Sequence, residues 1–348
     1  MSNSILHKKI TLIIIGLLII TPTLLFISKK NNVTYNLRKP KQAYSKAKNN
    51  YIKKYGLKEN LLKGYLNFKL DLLKDNPLPF QIIKGKKEWL FLGNSYENSF
   101  DNAFGNNQFN QEELTLITTN LNKIKAYLDS KNIDFHLVIA PDKNQIYSEF
   151  LPYQLKKNKT KCAILLDKLK KETSINAFSL HTTLLNNKNK ETLYYKTDSH
   201  WNTYGAFVGY KEIISKLNTT KNIITETLDN YLITKTKDYT GDLSVIIQSK
   251  NKVERFSFKR KEKIDIDTLS YNLSLKHFKN KKGKKKLMVI RDSFSDNLML
   301  FLNNTFNEVS YIKHQNIDTK LIEKVKPNIV IIEIIEPNLI NLTRLNTP

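Results

Sequence analysis

Cysteine is almost absent. Cys162 is the single one in 348 residues, so neither an internal disulfide nor a multi-cysteine metal site is available, and a buried structural thiol is its expected role. Acidic residues are scarce as well: 32 Asp and Glu stand against 57 Lys and Arg, a formal net charge of +25. Such an excess favours anionic partners, yet the lysines are spread along the chain among Asn and Ile rather than gathered in a patch. The spread reads as compositional bias acting on solubility and encounter. With no zinc-finger spacing and no aromatic–Gly pattern of a single-strand RNA binder, no nucleic-acid partner is expected. Internal repeats are missing too. What remains is a composition 40% hydrophobic and 10% aromatic, which supplies a sizeable core and excludes global disorder.

The first feature present is an uncharged apolar run, ITLIIIGLLIITPTLLFI, at residues 10–27. It has about the length needed to cross a bilayer. No small-residue cleavage site follows it, so residues 1–30 are expected to form an uncleaved N-terminal membrane anchor rather than a removed signal peptide. Lys29, Lys30, Arg38 and Lys39 follow the run and outnumber Lys8 and Lys9 before it, against the usual charge bias of cytoplasmic flanks. The bulk of the chain is nonetheless expected outside the cytoplasm, for the functional reasons below. Residues 31–77, with apolar residues spaced among lysines, are expected to be a helical juxtamembrane stalk, and residues 78–345 a catalytic domain.

Within that domain, two apolar runs around Gly85-Lys86-Lys87 signal a hairpin. Asn110 and Glu113 have the spacing of a capping box that opens a helix through about Ser130. FHLVIAP (135–141), KKLMVI (285–290) and NIVIIEII (328–335) are continuous apolar stretches of the kind buried on both faces of a parallel sheet. Helical patterns lie between them, including CAILLDKLKKE and GAFVGYKEIISKL. Strands alternating with helices predict an α/β fold with a mainly parallel sheet.

Two segments carry chemistry. In KKLMVIRDSFSDNLMLFL a buried strand ends at Ile290 and a helical pattern begins a few residues on. Ser293 therefore falls at the carboxyl end of a strand, where open α/β sheets place their sites and where a strand-to-helix turn can expose a nucleophile. The alternative is that Asp292, Ser293 or Ser295 merely caps the helix. In YYKTDSHWNTYGAF, Asp198 and His200 stand two residues apart in an extended segment. Side chains so spaced point the same way, so the carboxylate reaches one ring nitrogen and leaves the other for a serine. A serine hydroxyl needs an imidazole to take its proton, and the imidazole needs a carboxylate to hold its tautomer. No other histidine has an acid so placed; His136 lies inside a strand, and His7, His181, His277 and His314 suit structural or surface roles. Lys143 and Asn144, in the loop that ends strand 135–141, are cleft-lining candidates or ordinary loop residues. Glu333 and Glu336, alternating with apolar residues, are expected to be structural.

TDSHWNTYGA followed by RDSFSDNL resembles the SGNH-hydrolase-like acetyltransferases related to the alginate O-acetylation proteins AlgJ and AlgX, and their DHHW-type relatives. GKKEWLFLG (85–93), IAPDKNQIYSEFLP (139–152), TGDLSVII (240–247) and KPNIVIIEIIE (326–336) fit the same family in order. The resemblance implies an SGNH-like domain with a Ser293–His200–Asp198 catalytic triad. The serine would be acylated and would pass an acetyl group to a hydroxyl of an extracytoplasmic or cell-surface polysaccharide. Ser293's own N–H is the expected oxyanion donor. Trp201, Lys143, Asn144 and Arg291 are the candidate substrate-binding residues, Trp201 having packing as its alternative role. No acetyl-CoA signature is present, and no cofactor or metal is expected. The resemblance implies a multispanning membrane O-acyltransferase as the acetyl supplier. The alternatives are a glycan O-acetyl esterase using the same residues with water as acceptor, or a non-catalytic glycan-binding scaffold of a polysaccharide export assembly.

Overall fold

The computed structural model describes residues 58–348 except 74, 154–155, 218–222, 250, 273 and 314–316, together with Ile13, Gly16, Leu17 and Ile20. The chain divides into two compact units, Met1–Pro77 and Leu78–Pro348. All but four residues of the expected anchor, and most of the expected stalk, fall outside the described residues. Among the described residues no helix is long and apolar enough to cross a membrane. In the first unit, α1 (Lys58–Asn67) continues into a π-helical turn at Phe68–Leu72.

The second unit is a three-layer α/β domain. A hairpin of β1 (Ile82–Lys84) and β2 (Leu90–Leu92) pairs Ile82 with Leu92 around the expected Gly85-Lys86-Lys87 turn. After α2 (Ser99–Phe104) comes α3 (Gln111–Ser130), opened by the expected capping box of Asn110 and Glu113. β3 (Asp134–Ala140) leads into α4 (Lys143–Ile146), then α5 (Lys161–Glu172), β4 (Asn176–Ser179), α6 (His181–Asn187) and α7 (Thr203–Leu217). β5 (Tyr231–Tyr239), α8 (Asp242–Ile246), β6 (Val253–Arg260), β7 (Ile266–Tyr271) and β8 (Leu275–Asn280) follow. β9 (Lys284–Arg291), α9 (Ser295–Thr305), β10 (Phe306–Lys313), α10 (Thr319–Val325) and β11 (Ile329–Ile335) complete the core.

The main sheet has the order β4-β3-β11-β9-β10-β8-β7. Its first five strands run parallel, and β8 and β7 add an antiparallel edge. Side chains alternate between two cores, as the period of a strand requires. Val138, Leu287, Val289, Ile329 and Ile331 face α7 and α9. Leu137, Met288, Ile290, Val330 and Ile332 face α3, α5 and α10, where Cys162 is buried and free. Burial on both faces is why these strands read as unbroken apolar runs.

The lysine-rich middle, which carries no strand signal in the sequence, folds into β5–β8. β5 and β6 form a two-stranded sheet of their own. Every β5 residue from Leu232 onward is exposed or half-buried, so no apolar face marks it. His277 has a structural partner: its Nε2 lies 2.7 Å from Glu308 Oε1 across the β8–β10 pair. That acid is 31 positions away and belongs to a strand the apolar pattern does not reveal.

Candidate active site

β9 stops at Arg291, and Asp292 ties the turn that follows. Its Oδ1 accepts from the Phe294 N–H at 2.9 Å, and its Oδ2 from the Ile335 N–H at the end of β11 at 2.7 Å. Asp292 thus pins the turn to the neighbouring strand rather than capping α9. Ser293 is left exposed above the sheet, and its N–H makes no hydrogen bond among the described residues.

His200 reaches Ser293 from the loop before α7. Asn202 closes that loop by accepting from the Gly205 N–H at 2.9 Å, starting the helix. Asp198 Oδ1 accepts from the His200 backbone N–H at 2.9 Å and from its ring Nδ1 at 2.8 Å. With the proton on Nδ1, Nε2 is an acceptor, and it lies 2.8 Å from Ser293 Oγ. Asp198 Oδ2 accepts from the Tyr239 hydroxyl at 2.7 Å and the Asp242 N–H at 2.9 Å. Asp242 in turn holds Ser199, accepting from its N–H at 2.7 Å and its Oγ at 2.5 Å. Gly241 makes this approach possible, since a Cβ there would overlap the Thr197 carbonyl.

The electrostatics follow from these contacts. Burial alone would raise the Asp198 carboxyl, but the hydrogen bonds from His200 and Asp242, with the His200 charge, hold it well below the usual carboxylate range. Burial lowers His200, yet the Asp198 bond and the charges of Asp198, Asp242 and Asp292 outweigh it and raise the imidazole above its ordinary value. Beneath the turn, burial pushes the carboxyls of Asp292 and Glu333 upward, Glu333 well above its ordinary value. Glu333 accepts from the Ser295 hydroxyl at 2.6 Å, a structural role.

Ser293, His200 and Asp198 open onto a cavity of about 610 Å³. One wall is Asp296, Asn297 and Leu300 of α9; the opposite wall is Tyr239 and the β6 stretch Arg255–Phe258. Phe256 and Phe258 anchor that wall, packing on Tyr204 at 5.6 Å and on Phe301 at 5.6 Å. Two hydrogen bonds lock the halves of the site together. Trp201 Nε1 donates to the Phe294 carbonyl at 2.9 Å, and Asn297 Nδ2 donates to the Trp201 carbonyl at 3.1 Å.

The four candidate substrate-binding residues do not line this cavity. Trp201 is fully buried and packs on Phe294. β3 passes directly into α4, capped by Asp142, which turns Lys143 and Asn144 inward. Asn144 donates to the Leu92 carbonyl at 3.1 Å, and Lys143 donates to backbone carbonyls of the 195–198 segment. Arg291 is 7% exposed and pairs with Asp296 at 3.0 Å from behind. All four side chains make internal contacts, which for Trp201 is the packing alternative.

Tyr239, Asp242, Arg255 and Asn297 went unrecognised as site residues in the sequence. Asp242 lies in TGDLSVII, a segment matching the family, which is the one signal that pointed there. Asp198, His200 and Asp242 offer ligand atoms within 4.8 Å of one another, a spacing a metal ion accepts. The same oxygens already receive hydrogen bonds from His200, Tyr239 and Ser199, so the network suits proton transfer and orientation without one.

The family described as "SGNH hydrolase-like domain, acetyltransferase AlgX" matches residues 82–315. No curated protein matches the sequence. Among solved structures, PatB1 from Bacillus cereus is similar at 18% identity and a TM-score of 0.57, over 74% of this chain and 96% of that one. The O-acetyltransferase domain of Pseudomonas putida AlgJ aligns at 14% identity and 0.50, over 76% and 98% of the two chains. A DHHW family protein from Eubacterium siraeum aligns at 12% identity and 0.50, over 64% and 87%. At such identities the likeness establishes the fold.

Proposed function

The chain belongs to the SGNH hydrolase-like family of the acetyltransferase AlgX, and from that premise we propose that it is an O-acetyltransferase working through an acyl-serine on Ser293. The observation that carries the reading is the unbroken series Asp198–His200–Ser293, with 2.8 Å at both links, opening on a cavity.

The steps follow from the geometry. Ser293 Oγ attacks the acetyl carbonyl while His200 Nε2 takes its proton, and Asp198 stabilises the resulting imidazolium. The oxyanion is met by the Ser293 N–H and the positive end of α9. Collapse expels the donor's leaving group, protonated by His200. A sugar hydroxyl then enters, gives its proton to His200 and attacks the acyl carbon; the acyl–Oγ bond breaks, and His200 returns the proton to Ser293. The acceptor is an extracytoplasmic or cell-surface polysaccharide. The acetyl group is delivered as an ester by a multispanning membrane O-acyltransferase, and residues 10–27 anchor the chain beside it. Asp296, Asn297 and the 255–258 stretch face the acceptor.

The test is direct. The protein incubated with an activated acetyl ester should gain one acetyl group on Ser293, and an added oligosaccharide should remove it and become acetylated. Acetate released at a rate indifferent to any sugar would instead identify an esterase. Normal glycan binding with no ester turnover would identify a scaffold. The anchor is checked separately: the full chain should keep its N-terminus and stay with membranes through a high-salt wash, and a soluble product beginning near residue 30 would refute it.

A further inference from the structure

One buried cation takes no part in these steps. Lys143 is 2% exposed, and its ammonium donates to the carbonyl oxygens of Tyr195 at 3.1 Å, Lys196 at 3.2 Å and Asp198 at 2.5 Å. Its Nζ also lies 5.3 Å from the Phe91 ring and 5.7 Å from the Trp89 ring. It makes no ion pair among the described residues. All three ammonium protons thus go to one short stretch of backbone, the stretch that ends in Asp198. The remaining carbonyl of that stretch, Thr197, accepts from the Ser244 N–H at 3.2 Å.

We propose that Lys143 is a positioning residue of the catalytic machinery: by gathering the carbonyls of 195, 196 and 198 it sets the direction in which Asp198 presents its carboxylate to His200. The inference rests on the reading of Ser293 as the nucleophile. Carbonyl dipoles converging on one point repel each other and need a donor with several protons on a single atom, which among side chains means an ammonium. The charge is not there for stability. Burial lowers the Lys143 ammonium to about 8 from 10.5, against the opposing pull of Asp198, Asp242 and Asp142, and a buried cation is weak evidence of a stabilising contact. The charged groups around it are Asp142 at the cap of its own helix, Asp198 on the motif loop and Asp242 on α8. From β2 and its turn only the uncharged rings of Phe91 and Trp89 face it. Loss of the ammonium proton leaves one carbonyl facing a lone pair, which lets the Asp198 peptide turn.

Turnover of p-nitrophenyl acetate by the whole protein tests this. Lys143→Met keeps the chain length and removes every donor; kcat should fall roughly a hundredfold, the cost of a small misplacement of a catalytic group, with KM within about threefold. Wild-type kcat should decline on an alkaline limb whose midpoint drops steeply on warming, as an alkylammonium's does. Lys143→Cys in a Cys162→Ala background, aminoethylated while unfolded and then refolded, should regain turnover with the limb moved to lower pH, because the thioether makes the ammonium more acidic. Turnover by Lys143→Met within threefold of wild type overturns the proposal. So does a wild-type alkaline limb that is absent up to about pH 10 or insensitive to temperature, a readout that needs no variant to fold. A wild-type protein inert toward the ester defeats the nucleophile reading and this inference together; turnover indifferent to Lys143 defeats the inference alone.

Discussion

The two walls of the cavity are built on opposite terms. The wall with Ser293 rises from the middle of a seven-stranded sheet, between β11 and β10, and its polar atoms are tied down: Asp292 to Phe294 and Ile335, Ser295 to Glu333, Trp201 to Phe294. The facing wall is a two-stranded ribbon on which Arg255 and Ser257 are exposed. Among the described residues it touches the catalytic series through one hydrogen bond, from Tyr239 to Asp198. Chemistry requires reacting atoms held to a fraction of an ångström, which only packed and hydrogen-bonded surroundings provide. Recognition of a chain that must enter and leave tolerates a surface built from exposed side chains. If the protein is the acetyltransferase proposed above, turnover and acceptor binding fall on different walls, and mutations on the two sides should separate in the same way.

The largest effects belong to the rigid wall. Ser293→Ala and His200→Ala should each lower kcat by roughly 10⁴- to 10⁶-fold, and the double variant should be scarcely worse, because the residues act as a unit. Asp198→Ala should cost less, about 10³- to 10⁴-fold, since it orients and stabilises but moves no proton. Additive losses in the double variant would show that the three side chains work independently. On the ribbon, Arg255→Ala should raise the KM for a glycan acceptor by about tenfold, the worth of a single charged contact, while leaving turnover of a small acetyl ester unchanged. An equal loss for both substrates would erase the distinction between the walls.

Smaller effects come through protons. His200 must be neutral to act as base, and its raised pKa shifts the acid limb of kcat/KM above that of an ordinary imidazole; Asp242→Asn, which removes one of the charges that raise it, should bring that limb down. Beneath the rigid wall, burial raises the Glu336 carboxyl from 4.5 to about 7. A raised carboxyl favours the folded state below its unfolded value, and that advantage is lost as pH climbs through the folded one. Glu336→Gln, which stays neutral, should therefore gain on wild type between about pH 5 and pH 8, by up to about 3 kcal/mol. Thermal unfolding of both proteins at the two pH values measures it, and parallel curves would place the proton elsewhere.

The rigid wall was largely legible in the sequence and the ribbon was not, for one physical reason. β3, β9 and β11 are buried on both faces, so their apolar runs announce them, and the strand-to-helix turn after β9 singles out Ser293 once it is paired with Asp198 and His200. Asp198 and His200 were legible because their contact is local, two residues apart. The ribbon has no fully buried face, so its strands look like a charged loop. Tyr239 and Asp242 reach Asp198 from more than 40 positions away, and such contacts leave no periodic trace. Lys143 was noticed for its place after β3, but its direction depends on the single-turn helix α4, which sends the side chain inward.

Because β5 and β6 form a sheet of their own, no ladder hydrogen bond joins them to the strands that carry Ser293. Their length and surface can drift, by point change or by exchange of the whole hairpin, without moving the register of β9 against β10 and β11. The fold is thus divided into a part that sets the position of Ser293 and a part whose outer surface can change without moving it. On the proposed reading a new acceptor could be met by altering about thirty contiguous residues between Tyr231 and Arg260, with Tyr239, Gly241 and Asp242 among the positions in that stretch at which drift would be answered by lost turnover.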